Sequence, residues 1–158
     1  MITLNSPAPN FNLKDQDNTE HTLSDYKGKW VIIYFYPKDD TPGCTTEACS
    51  FRDGFKDLHA KNVQIFGISK DTVSSHKKFA EKFQLNFPLL SDPTKETMRA
   101  YGALGLKKFM GKEYEGVLRN TYLINPEGNI AKIYPNVTPK DHALEILKDM
   151  VTLEKRKE

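Results

Sequence analysis

The chain has 158 residues, of which 23 are Lys or Arg and 21 are Asp or Glu, for a net charge of +2. That length suits one domain around one hydrophobic core, and 38% hydrophobic with 28% charged residues excludes collagenous and low-complexity chains. So small a basic excess, scattered among acids, leaves no footprint for a nucleic acid, and no run approaches the roughly 18 consecutive apolar residues of a membrane span.

Residues 1–13 hold no basic region followed by an apolar core, so no signal peptide and a cytoplasmic location are expected. The glycosylation pattern Asn136-Val137-Thr138 is then a chance match. Residues 10–13 and 21–23 read as short extended pieces, joined by the turn signal Asp15-Gln16-Asp17-Asn18. The run Trp30-Val31-Ile32-Ile33-Tyr34-Phe35-Tyr36 is apolar throughout, as in a strand covered on both faces. Helical spacing follows from about 42 to 60, with Phe51, Phe55 and Leu58 four and three apart. A second buried strand is expected at 63–68, a helix at 73–83, a short strand at 87–90 and a helix at 94–101. Residues 120–124 and 130–134 flank the turn Asn125-Pro126-Glu127-Gly128 as a hairpin. A last helix spans 139–153, with Ala143, Ile146, Leu147 and Met150 as its apolar stripe, and the charged residues 154–158 are its frayed end. The order predicts one α/β domain over 1–158, a central mixed sheet with helices on both faces.

Two cysteines are no disulfide framework in a reducing cytosol. Cys44 and Cys49 are therefore either buried apolar residues or reactive thiols. The local sequence favours the second. Thr41 suits an N-cap and Pro42 the first helical position, which sets Gly43 and Cys44 in the first turn. Unpaired N–H groups and the positive end of the helix dipole lie there. Bringing a free thiol from a pKa of ~8.5 to ~6.5 takes about 2.7 kcal/mol of preference for the anion. A helix end supplies about 0.3–1 kcal/mol, or up to ~2 where partly buried, so a cation is needed as well. Arg119, opening a strand whose end can face the first helical turn, is the candidate.

Pro37, Thr41 and Cys44 reproduce the P-x-x-x-T-x-x-C motif of the peroxiredoxins, embedded in Phe35-Tyr36-Pro37 and Pro42-Gly43-Cys44-Thr45. The chain resembles the bacterioferritin comigratory protein (PrxQ) group, whose second cysteine lies five residues beyond the first, as Cys49 does. The similarity runs from Ala8-Pro9-Asn10-Phe11 through Arg119-Asn120-Thr121-Tyr122-Leu123-Ile124. It implies a thioredoxin-like fold with an N-terminal extension, and a thiol peroxidase acting on hydrogen peroxide and organic hydroperoxides. It also implies Cys44 as the peroxidatic cysteine, Cys49 as its partner in an intramolecular disulfide, and Arg119 as the catalytic guanidinium. Thr41 would hydrogen-bond sulfur and peroxide, Pro37 would keep water out, and Glu47, otherwise a plain surface residue, would bond near the active loop. Thioredoxin or a similar dithiol is the implied reductant, with no cofactor or metal, and the chain is expected as a monomer with a weak dimer as the alternative. Asn120 departs from the family, where Ser or Thr is commoner.

Residues five apart on a helix have Cα atoms roughly 8–9 Å apart and point about 140° away from each other. A disulfide needs Cα atoms within about 7 Å, so joining Cys44 to Cys49 requires the helix to unwind. Thr45, Thr46 and Gly54 weaken that helix. A thioredoxin-type oxidoreductase would carry Cys-x-x-Cys, which this spacing is not; a non-catalytic redox sensor or chaperone-like protein would use the same two cysteines, and a sensor would consume peroxide once. His21, His59, His76 and His142 are isolated and expected as ordinary surface or helix residues, without metal-ligand spacing to the cysteines.

Overall fold

The computed structural model describes residues 2–156. The first extended pieces are β1 (Asn12–Lys14) and β2 (Glu20–Thr22), paired antiparallel. Asp15 shapes the turn between them by accepting the N–H groups of Asp17 and Thr19. β3 (Trp30–Phe35) is buried at every position, and the strand's period of two decides which face each side chain serves. Trp30, Ile32 and Tyr34 join one core cluster, whereas Val31, Ile33 and Phe35 join another on the opposite face.

From β3 the chain enters α1 (Pro42–Ala60), β4 (Val63–Ser69), α2 (Val73–Phe83), β5 (Leu89–Ser91) and α3 (Glu96–Ala100). A hairpin, β6 (Leu104–Phe109) with β7 (Lys112–Val117), comes next, then β8 (Thr121–Ile124), β9 (Ile130–Tyr134) and α4 (His142–Arg156). The main sheet has seven strands in the order β2-β1-β5-β4-β3-β8-β9. β3, β4 and β5 run parallel, while β8 pairs antiparallel with β3. Phe51 and Leu58 of α1, Phe79 of α2 and Ile146 and Met150 of α4 pack on one face. Met98 of α3, with Tyr101, Phe11 and Leu23, covers the other. Each such fully buried side chain contributes about 1.5–3 kcal/mol by leaving water. Parallel pairing puts the C-terminal ends of β3, β4 and β5 on one edge of the sheet, which is where open α/β sheets place their sites.

The mixed sheet, helices on both faces and attached N-terminal strands agree with expectation. Boundaries move by a few residues: the strand expected at 87–90 begins at Leu89, and the last helix begins at His142. α4 continues through Arg156; of the charged end expected at 154–158, residues 157–158 lie outside the described residues. The β6–β7 hairpin was not anticipated. Its turn is Met110-Gly111, both at positive φ (52° and 80°), as a two-residue hairpin turn demands. His76 and His142 lie in helices, one of the two expected places, and both are fully buried rather than on the surface. His142 faces Glu145 at 2.8 Å and Thr121 at 2.9 Å, and burial holds its pKa below the ordinary value. No helix among the described residues is long and apolar enough to cross a membrane.

Candidate active site

β3 ends beside a loop, residues 37–41, that leads into the first turn of α1. Thr41 occupies the N-cap position with extended backbone, φ −103° and ψ 155°, and Pro42 follows as the first helical residue. The cap differs in one respect from expectation. The Thr41 hydroxyl makes no capping bond and instead donates to the Lys38 carbonyl at 2.9 Å. Pro37 is half-buried at the start of the same loop.

Cys44 sits in the first turn of α1 and is 1% exposed. Glu47, three residues on, lies on the same side of the helix and is fully buried. Arg119 reaches both from just before β8. Its Nη1 donates to Glu47 Oε1 at 2.8 Å and its Nη2 to Cys44 Sγ at 3.4 Å. A planar guanidinium holds its two partners in a fixed fork. Gly43 makes the approach possible: a Cβ there would stand 3.1 Å from Arg119 Nη2. Burial works against the guanidinium, and the sulfur and carboxylate beside it outweigh that, leaving its pKa above the ordinary value. Burial pushes Glu47 up to about 7, with Arg119 acting in the opposite direction.

Sequence reasoning missed two residues beside the site, Lys107 and Tyr34. Lys107 of β6 is half-buried by the site; burial and the Arg119 charge hold its pKa down, and Cys44 opposes them. Tyr34 is fully buried on β3, its ring stacked on Phe51 at 4.6 Å, and burial pushes its hydroxyl pKa well up. Tyr34 Oη and Glu47 Oε2 are the buried side-chain polar atoms without a hydrogen-bond partner among the described residues. Nothing local in the sequence marks Tyr34 apart from the rest of an apolar strand. Asn120, the departure from the family, is buried; it accepts the Asn136 N–H at 3.1 Å and donates to the Tyr122 hydroxyl at 3.3 Å.

Both cysteines are free thiols. Cys49 is half-buried and lines a groove between α1 and α4 with Thr45, Thr46 and Ser50. Thus Cys44 faces Arg119 and Cys49 faces α4, as the helical spacing requires.

A buried thiol at a helix start beside a guanidinium, on a mixed sheet of this order, defines the class: a thioredoxin-like peroxiredoxin fold. The model of the AhpC/TSA family matches residues 4–133. Peroxiredoxin Bcp of Bacillus subtilis is 46% identical over 152 residues, which is 94% of this chain and 97% of that protein. Peroxiredoxin Bcp of Escherichia coli is 42% identical over 135 residues, 85% of this chain and 86% of that one. Among solved structures, a cysteine-to-serine mutant of Xylella fastidiosa PrxQ superposes with a TM-score of 0.92 at 31% identity over 98% of both chains. The bacterioferritin comigratory protein of Xanthomonas campestris, studied for its alkyl peroxide reduction, gives 0.86 at 35% identity over 90% of both. The chain belongs to the AhpC/TSA peroxiredoxins, in their Bcp/PrxQ group, and is a thiol peroxidase.

Proposed function

We propose that Cys44 is the attacking thiol, that Cys49 resolves the oxidised sulfur, and that a dithiol protein of the thioredoxin type reduces the resulting disulfide. The Arg119 fork on Cys44 and Glu47 carries this reading. The Cys44 thiolate attacks a hydroperoxide oxygen and the O–O bond breaks. Sulfur is oxidised to sulfenic acid, and the leaving oxygen departs as alkoxide or hydroxide and takes a proton from solvent. Arg119 and the free N–H groups of the first turn of α1 stand where that negative charge grows. Thr41 has its hydrogen committed to Lys38, so it offers an acceptor to the hydroperoxide O–H. Pro37 forms the side of the loop that limits water. Condensation of the sulfenic acid with the Cys49 thiol then releases water and forms the disulfide, which exchange with the dithiol opens. One chain supplies every group named, so a monomer suffices.

The test is a pair of variants, reduced beforehand, freed of reductant and given one equivalent of peroxide. Cys44→Ser should consume no peroxide, whereas Cys49→Ser should complete one oxidation and hold it as sulfenic acid on Cys44. Equal loss of that first oxidation in both variants would overturn the assignment.

A further inference from the structure

The loop carrying Pro37 and Thr41 is held from outside by a buried cluster that the peroxide chemistry leaves unused. Asp39 is 7% exposed and His76 is 0% exposed. Asp39 Oδ1 accepts from the Tyr36 hydroxyl at 2.5 Å, and Oδ2 accepts from the Ser75 hydroxyl at 2.8 Å. The same Oδ2 faces His76 Nδ1 at 2.7 Å. His76 Nε2 meets the Leu90 carbonyl at 3.0 Å; a carbonyl only accepts, so Nε2 carries a hydrogen.

The backbone of Asp39 is fixed as well. Its N–H donates to Asp71 Oδ2 at 2.8 Å, which also receives the Ser69 hydroxyl at 2.8 Å. The Asp71 carbonyl accepts the Ser91 hydroxyl at 2.6 Å. The loop therefore hangs from the ends of β4 and β5 and from the first turn of α2. Two residues beyond Asp39 stands Thr41, and three beyond Thr41 stands Cys44.

We propose that Asp39 and His76 are positioning residues for the peroxide step, a buried latch that holds the loop, and with it Pro37 and Thr41, in register over Cys44. Neither side chain touches the sulfur. They act through the loop, so losing either should misplace the groups that meet the hydroperoxide while leaving Cys44 in the Arg119 fork. The inference rests on Cys44 being the attacking thiol.

The experiment compares two reactions of the reduced protein at one pH: stoichiometric oxidation by hydrogen peroxide in stopped flow, and alkylation of Cys44 by iodoacetamide followed by peptide mass. The variants are His76→Gln, Asp39→Asn and the double variant. Each single change should slow oxidation about tenfold or more, as misplacement by a fraction of an ångström does, with alkylation within about threefold of wild type. The double variant should be little slower than either single one, because both act through one contact. A folded His76→Gln protein that oxidises at the wild-type rate overturns the latch. So does an equal fall in oxidation and alkylation, which a merely structural role produces. If His76→Gln does not fold, Asp39→Asn and Ser75→Ala carry the same comparison. Failure of the underlying reading looks different, since Cys44→Ser would then still react with peroxide.

Discussion

Arg119 bonds two groups at once, the Cys44 sulfur and the Glu47 carboxyl. Its removal should take the guanidinium donor from the Cys44 sulfur and a stabilising charge from the transition state. Arg119→Ala is expected to slow the peroxide step by about 10²–10³, the usual loss of one such donor, and to leave disulfide reduction far less affected. Iodoacetamide alkylation against pH checks the first part; an unchanged profile would remove Arg119 from the site. Glu47 leads to a separate prediction about stability. Its pKa rises from 4.5 to about 7 because burial disfavours the charged form. The folded protein then holds a proton that the unfolded chain releases, so stability is fully present below pH ~4.5 and is lost as pH rises towards ~7. The loss amounts to about 3 kcal/mol. Glu47→Gln keeps an acceptor for Arg119 and has no charge to bury, so its Tm should hold up between pH 5 and 8 where the wild type falls. Parallel Tm profiles for the two proteins would contradict this.

At the scale of the element, α1 is built unevenly. Its first turns hold Thr45 and Thr46, poor helix formers, and the Thr46 hydroxyl bonds back to the Pro42 carbonyl at 3.0 Å, a contact that bends and slightly weakens a helix. Beyond Cys49 the helix is clamped. Ser50 Oγ accepts the Ala143 N–H at 3.2 Å, and Phe51 stacks on Tyr34. Gly54, read from sequence as a weak point, instead makes room for α4: a Cβ there would meet the Ala143 side chain at 3.0 Å. Opening is thus confined between the loop held by Asp39 and the clamp at Ser50. Unwinding exposes the buried Cys44, Glu47 and Ala48, and for Glu47 exposure is a gain, since one carboxylate oxygen lacks a partner while buried. The segment that must unwind to join the cysteines thus holds the weak helix formers Thr45 and Thr46 and the buried carboxyl that gains by exposure.

Across the whole molecule, what the sequence revealed was local. The apolar run of β3, the Thr41-Pro42 helix start and the first-turn position of Cys44 each depend on neighbours in the chain, and all three stand in the structure. Arg119 lies 75 residues from Cys44; its place at a strand start made it a candidate, and the family resemblance singled it out. Asp39 and His76, 37 residues apart, had no such motif and were passed over, because a lone histidine on a helix reads as a surface residue. The β6–β7 hairpin escaped for another reason. Both its faces are largely exposed, so its strands show no clean alternation, and only Met110-Gly111 signalled the turn. With the sheet closed around β3 and both cores intact on either face, joining Cys44 to Cys49 should disturb one helix end and little else. Hydrogen exchange over the whole chain, compared between the reduced and disulfide forms, measures this most directly. Amides of residues 44–49 should lose protection on oxidation, while those of β3, β4 and the part of α1 beyond Phe51 keep theirs. Equal protection of residues 44–49 in both forms would contradict the unwinding on which a Cys44–Cys49 disulfide depends.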